Sequence, residues 1–128
     1  MSERFIEQRE QFEQALARLH EALLENETAL IRDALIQRFE FTFEMAWRCL
    51  HRYLSDKGER IALQAWAVLP VAFQSQLIAD AQIWDQLREC RHLTSHTYKE
   101  DMAVQVAALV RGQGIAAFDR LAIRLRRP

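Results

Sequence analysis

Glycine and proline are scarce, three and two among 128 residues. Many-stranded sheets with tight turns draw on both, so the scarcity argues against a sandwich or barrel and leaves helices. Cysteine is as rare as proline. Cys49 and Cys90 lie in apolar helical patterns with no CxxC spacing, which favours buried reduced thiols over a disulfide or a metal site. Neither sign of charge dominates, the formal net charge being -1. No global field therefore advertises nucleic acid or membrane, and any such partner needs a local patch. No apolar run approaches the roughly 18 residues of a membrane span, and the opening MSERFIEQRE has no signal-peptide core. The expectation is a soluble, cytoplasmic protein with no membrane partner.

What is present is apolar periodicity. Hydrophobic residues make up 50% of the chain, and a chain of this length buries roughly two thirds of its unfolded surface around one core. A single helical domain over residues 1–128 is expected. Phe5, Phe12, Leu16, Leu19 and Leu23 recur at helical steps and define an amphipathic helix over about residues 3–25. Asn26 and Thr28 are candidate caps for a second helix, and Gly58 is its expected stop. The middle of that helix, QRFEFTFEMAWRCL, carries Phe39, Phe41, Phe43, Met45, Trp47 and Leu50. These six cannot share one stripe, so the helix should be central. Residues 61–80 are almost wholly apolar, and Pro70 predicts a kinked helix or two short ones meeting near Leu69. A fourth helix from about Asp80 should turn Ile83, Trp84, Leu87 and Cys90 inward. The last, from about Glu100, should bury Met102, Val106, Leu109, Val110, Phe118, Leu121 and Leu125, with a bend at Gly112 and Gly114. The sum is all-α: an up-and-down bundle of four or five helices.

No Gly-rich phosphate loop, HExxH, CxxC or GxSxG occurs. The reactive groups that remain concentrate in RECRHLTSHTYKE, residues 88–100. His92 and His96 are four apart, the spacing of a two-histidine metal clip on a helix, yet the spacing supplies no third ligand. Arg91 and His96 are five apart, about 140° around a continuous helix, so they converge only if the helix ends between them or a second copy contributes. Thr94, Ser95 and Thr97 favour such an end. An arginine and a histidine there suit a phosphodiester: one offsets phosphate charge, the other moves the proton of a ribose hydroxyl. The bland alternative pairs Arg91 with an acid such as Glu89 or Asp101 and lets His96 cap a carbonyl.

The segments LIRDALIQRFEFTFEMAWRCLHRYL and RHLTSHTYKED resemble the nucleotidyltransferase substrate-binding family, helical proteins encoded beside a minimal nucleotidyltransferase and grouped with the HEPN domains, HepT-type toxins among them. The resemblance covers about residues 28–110. Arg91, His92 and His96 match the Arg, polar residue and His of the HEPN ribonuclease signature, and Tyr98 matches the tyrosine of the HepT-type extension. His92 stands where close relatives carry Asn, and Lys99 where they often carry an acid. The resemblance implies a homodimer whose facing motifs form a metal-independent RNA-cleaving cleft. It also implies a toxin–antitoxin pairing in which the partner transfers AMP from ATP to the tyrosine (AMPylation), so ATP serves only through the partner and the chain needs no cofactor or metal. In that reading Arg91, His96 and His92 are catalytic and Tyr98 is the modification site. The family's other implied role is a noncatalytic subunit presenting a substrate or nucleotide to the transferase.

Further residues carry two readings each. Glu40, Glu44 and Arg48, at steps of four, form a salt-bridge ladder or line a polar cleft with Ser95. Trp47, Trp66 and Trp84 pack in the core or an interface, or stack on a base. Arg120, Arg124, Arg126 and Arg127 are a solvated tail or contact phosphates.

Overall fold

Ser2 opens the first helix by accepting a hydrogen bond from the Phe5 amide at 3.1 Å, in a computed structural model that describes residues 1–128. Helix α1 then runs over Glu3–Leu23, with Phe5, Phe12, Leu16 and Leu19 buried. Thr28 does the same for α2, Ala29–Asp56, accepting from the Ile31 amide at 3.1 Å. Each cap satisfies an amide that the helix leaves unpartnered, worth about 1 kcal/mol. Gly58, at φ +96°, follows the end of α2 in a conformation that favours glycine.

Helix α2 is central: the first helix and each of the later helices of the chain pack against it, as its apolar middle requires. Phe39, Phe43, Trp47 and Leu50 are buried on it, and Met45 is half-buried. Phe41 departs from the expectation, being 55% exposed. At 100° per residue it shares a face with exposed Leu30, and no other helix of the chain covers that face.

Of the two arrangements expected around Pro70, one helix is found rather than two short ones. Residues Ala65–Gln74 form one helix, α3, with Pro70 inside it. Val68 and Leu69 before the proline and Ala72 after it are all buried, so packing on both sides offsets the roughly 3 kcal/mol that proline costs a helix interior. Gln76 at φ +61° then turns the chain, and Leu77 and Ile78 return to the core.

Helix α4, Ala81–Leu93, buries Trp84 and Leu87, with Ile83 and Cys90 half-buried. It ends in a 3-10 turn at Thr94–His96. Helix α5, Glu100–Leu109, passes through a π turn at Val110–Gly114 into α6, Ile115–Arg126. Gly112 leaves helical geometry there, so the bend falls where the glycines predict it. A Cβ on Gly114 would meet the Leu109 carbonyl oxygen at 3.0 Å and Leu87 Cδ2 at 3.1 Å, so the bend and α4 approach too closely for a larger residue. With α5 and α6 taken as one bent rod, the all-α bundle has five helices.

One cluster of 29 buried hydrophobic residues draws on all of these helices. Trp84 stands edge-on to Phe118 at 5.5 Å between centroids, and Phe118 meets Phe39 at 6.3 Å. Both cysteines are free. Burial pushes the Cys49 thiol up to about 12 and raises Cys90 as well, so neither gains thiolate character. No helix is long and apolar enough to cross a membrane.

Candidate functional site

Three hydroxyls end α4. Thr94 Oγ1 donates to the Arg91 carbonyl at 2.7 Å, Ser95 Oγ to that of His92 at 3.3 Å, and Thr97 Oγ1 to that of Thr94 at 2.9 Å. They bond carbonyls at the end of the helix, among them that of Arg91, which also accepts from the Thr94 amide. His92 therefore lies in the last turn of α4 and His96 in the 3-10 turn, off any shared α-helical face. The premise of the two-histidine clip fails, and no group of three or more His, Cys, Asp or Glu side chains is placed to hold a metal ion.

Arg91 is anchored from across the bundle. Its Nε donates to Glu44 Oε1 at 3.2 Å and its Nη1 to Thr94 Oγ1 at 2.9 Å, while Nη1 lies 3.6 Å from Glu40 Oε2. Glu89 and Asp101 are not its partners; Glu89 pairs with Arg88 at 3.1 Å. The α2 acids win because Arg91 lies on the side of α4 that packs toward α2. Arg91 Nη2 makes no hydrogen bond, so both of its donors stay free on a side chain that is 36% exposed.

Glu44 is the hub of this arrangement. Its second oxygen accepts from Trp47 Nε1 at 3.1 Å and lies 3.9 Å from Arg48 Nε. The Arg48 guanidinium sits 4.8 Å from the centroid of a Trp47 ring. The ladder within α2 thus amounts to one loose pair, and both acids engage Arg91 instead.

His92, Ser95, His96 and Tyr98 are all exposed. The His96 imidazole makes no hydrogen bond, so the carbonyl cap of the alternative reading does not form. Its ring lies edge-on to Tyr98 at 6.2 Å between centroids, and Lys99 Nζ sits 6.0 Å over the tyrosine ring. No hydrogen bond or ion pair joins Arg91 to His96. The end of α4 therefore presents an oriented guanidinium with free donors, two open imidazoles and a free phenol: groups for binding an anion and exchanging protons.

Of the three tryptophans, Trp66 alone lies outside the core. Trp47 and Trp84 are buried at 5% and 2% exposure, but Trp66 is 63% exposed. It walls a hollow of about 290 Å³ shared with Glu44, Arg48, Arg91 and His92. The C-terminal arginines are mostly engaged within the chain and do not form a free basic tail. Arg120 pairs with Asp80, Arg126 lies 2.6 Å from Glu13, and Arg124 donates to the carbonyls of Gln76, Arg127 and Pro128.

Residues 7–127 match the family model described as nucleotidyltransferase substrate binding protein like. The chain belongs to this family. A Haemophilus influenzae relative named probable ribonuclease HepT is 30% identical over 90 residues, covering 64% of this chain. The match spans 62% of the length of that curated relative. A crystal structure of a Thermus thermophilus protein is similar with a TM-score of 0.82 at 36% identity, over 91% of this chain and 99% of that one. A second, from Haemophilus influenzae, is described as revealing the fold of a substrate binding domain of a nucleotidyltransferase. It shares the family's helical fold with a TM-score of 0.77 at 23% identity, over 91% of this chain and 97% of that one.

Proposed function

We propose that this family member is a HepT-like endoribonuclease toxin, acting as a cytoplasmic homodimer without a metal and silenced by a companion minimal nucleotidyltransferase. The observation that carries the reading is the end of α4, where Arg91 is held with Nη2 free and His92, His96 and Tyr98 are all exposed. The relative named probable ribonuclease HepT supports it. In the reaction, the 2′-oxygen of a ribose attacks the adjacent phosphorus while His96 takes the hydroxyl proton. The bond from phosphorus to O5′ breaks, and O5′ leaves with a proton, His92 assisting. Arg91 offsets the charge gathering on the phosphoryl oxygens. The products are a 2′,3′-cyclic phosphate and a 5′-hydroxyl.

Silencing uses the phenol. The Tyr98 oxygen attacks the α-phosphorus of ATP held by the transferase, loses its proton and expels pyrophosphate. The attached AMP then places an anion beside His96, whose ring lies 6.2 Å from that of Tyr98, and repels the substrate phosphate. The chain needs no cofactor of its own.

A second reading has its own support. The family description names a substrate binding protein, and Glu40 and Glu44 already offset the charge of Arg91. In this reading the chain binds a substrate or nucleotide for the transferase and cuts nothing. RNA incubated with the purified dimer in chelator, beside His96→Ala, separates the two. Cyclic phosphate ends that vanish in the variant support the nuclease. An unmodified wild-type dimer that leaves RNA intact defeats it.

A further inference from the structure

We propose that the groove between α3 and α4 is a nucleobase site for a single RNA strand, with Trp66 as its stacking platform. The inference rests on the ribonuclease reading and extends it to residues outside the α4 motif. Two exposed aromatics stand on α3: Trp66 at 63% and Phe73 at 45% exposure. Between them and α4 lies a hollow of about 490 Å³, walled by Pro70 and edged by Gln74, Asp85 and Arg88. Trp66 and Arg88 also line the smaller hollow that holds Arg91 and His92, so the two form one path from the groove to the motif.

The chemistry along the path changes in the order a nucleotide requires. The groove offers flat apolar walls with a hydrogen-bonding edge, where Asp85 Oδ1 accepts from Arg88 Nε at 3.3 Å and Nη2 at 2.9 Å. That leaves Asp85 Oδ2 and Arg88 Nη1 without a partner in this pair, an acceptor and a donor for the edge of a base. The smaller hollow brings Arg48 and Arg91, groups suited to phosphate. Aromatic platforms beside a cationic track are how single strands are held with little sequence preference. A protein partner is the weaker match, because a charged edge interrupts the apolar wall and the groove opens onto the proposed phosphate site.

The test uses the His96→Ala chain, which retains the groove but cannot turn over RNA in the proposed mechanism, with a short single-stranded oligoribonucleotide. Trp47 and Trp84 are buried, so acrylamide quenching of fluorescence reports mainly on Trp66. RNA should protect this tryptophan from the quencher. Adding Trp66→Ala should weaken RNA binding roughly tenfold, the order expected of one stacked base, and Trp66→Phe should retain most of it. Thermal melts of both variants should match the parent, since the side chain is mostly exposed. Unchanged RNA affinity in Trp66→Ala overturns the proposal. So does a shift in sedimentation with no change in RNA affinity, which makes the groove a contact between copies. The two readings fail separately: a chain that cuts RNA with an unaltered KM in Trp66→Ala loses only the base site, whereas one that neither cuts nor binds RNA loses both.

Discussion

Arg91 matters at the scale of single residues because its neighbours decide which of its donors remain free. Glu44 holds Nε and Thr94 holds Nη1, which leaves Nη2 for a phosphate oxygen. Glu44 touches no substrate in the proposed mechanism and acts by positioning. Glu44→Gln keeps the shape and removes the charge, so RNA cleavage should fall about tenfold to a hundredfold, mainly in kcat, as orientation is lost. Glu44→Asp should recover part of the rate, and an unaltered rate in Glu44→Gln would remove the positioning role. Tyr98 behaves oppositely. It is 78% exposed and makes no hydrogen bond through its hydroxyl. Tyr98→Phe should therefore cleave RNA normally and gain no mass when incubated with the transferase and ATP; loss of cleavage would put the phenol in the catalytic step. The motif itself is legible in the sequence, because Arg91, His92, His96 and Tyr98 lie within eight residues. Glu40 and Glu44 are legible as a possible polar cleft, but their hold on Arg91 is not, since the rotation of α4 against α2 comes from core packing. The exposure of Trp66 is hidden too: its apolar neighbours Val68 and Leu69 face the core, but it turns the other way.

At the scale of elements, the bend between α5 and α6 is tied to the loop that joins α1 to α2. Glu27 in that loop accepts from Arg111 Nε at 2.8 Å and from Arg32 Nε at 2.9 Å. Arg111 also reaches the carbonyls of Leu23 and Glu25. The hydrogen bond from Arg111, then that from Arg32, holds the Glu27 carboxyl below its ordinary range. A carboxylate with a lowered folded pKa contributes stability that is complete above its unfolded pKa and is lost as pH falls through the folded value. Glu27→Gln should therefore melt earlier than wild type near neutrality, by about 1 kcal/mol for a partly exposed bridged pair. The gap should close as pH drops below the ordinary carboxylate range. Melting curves across pH check this, and a gap that widens in acid would contradict it. Gly114 makes a second prediction. The Leu109 carbonyl and Leu87 would crowd a new Cβ, so Gly114→Ala should cost about 1–3 kcal/mol by overpacking, read as a lower denaturant midpoint. The sequence locates this bend through its two glycines but not its staple, because Glu27 and Arg111 lie 84 residues apart.

At the scale of the whole molecule, the bundle is the most legible feature, since helical periodicity needs only local chain geometry and α1, α2 and α4 keep it almost throughout. Apolar residues without a partner inside the chain are where periodicity misleads. Phe41 and Leu30 lie on the uncovered face of α2, and nothing in their spacing distinguishes them from core positions. This face and the lack of contact between Arg91 and His96 bear on the same question, because the proposed homodimer would let a second copy complete the site. In a two-fold dimer each site would take Arg91 from one protomer and His96 from the other. Chains carrying Arg91→Ala should be inactive, as should chains carrying His96→Ala. Mixed and allowed to exchange, they form heterodimers in which one site loses both residues and the other keeps both. Random exchange makes half the dimers mixed, each with one working site of two, so activity should return to about a quarter of wild type. A site built within one chain leaves every mixed dimer with two damaged sites, and cleavage that stays absent after exchange would place Arg91 and His96 in the same protomer's site.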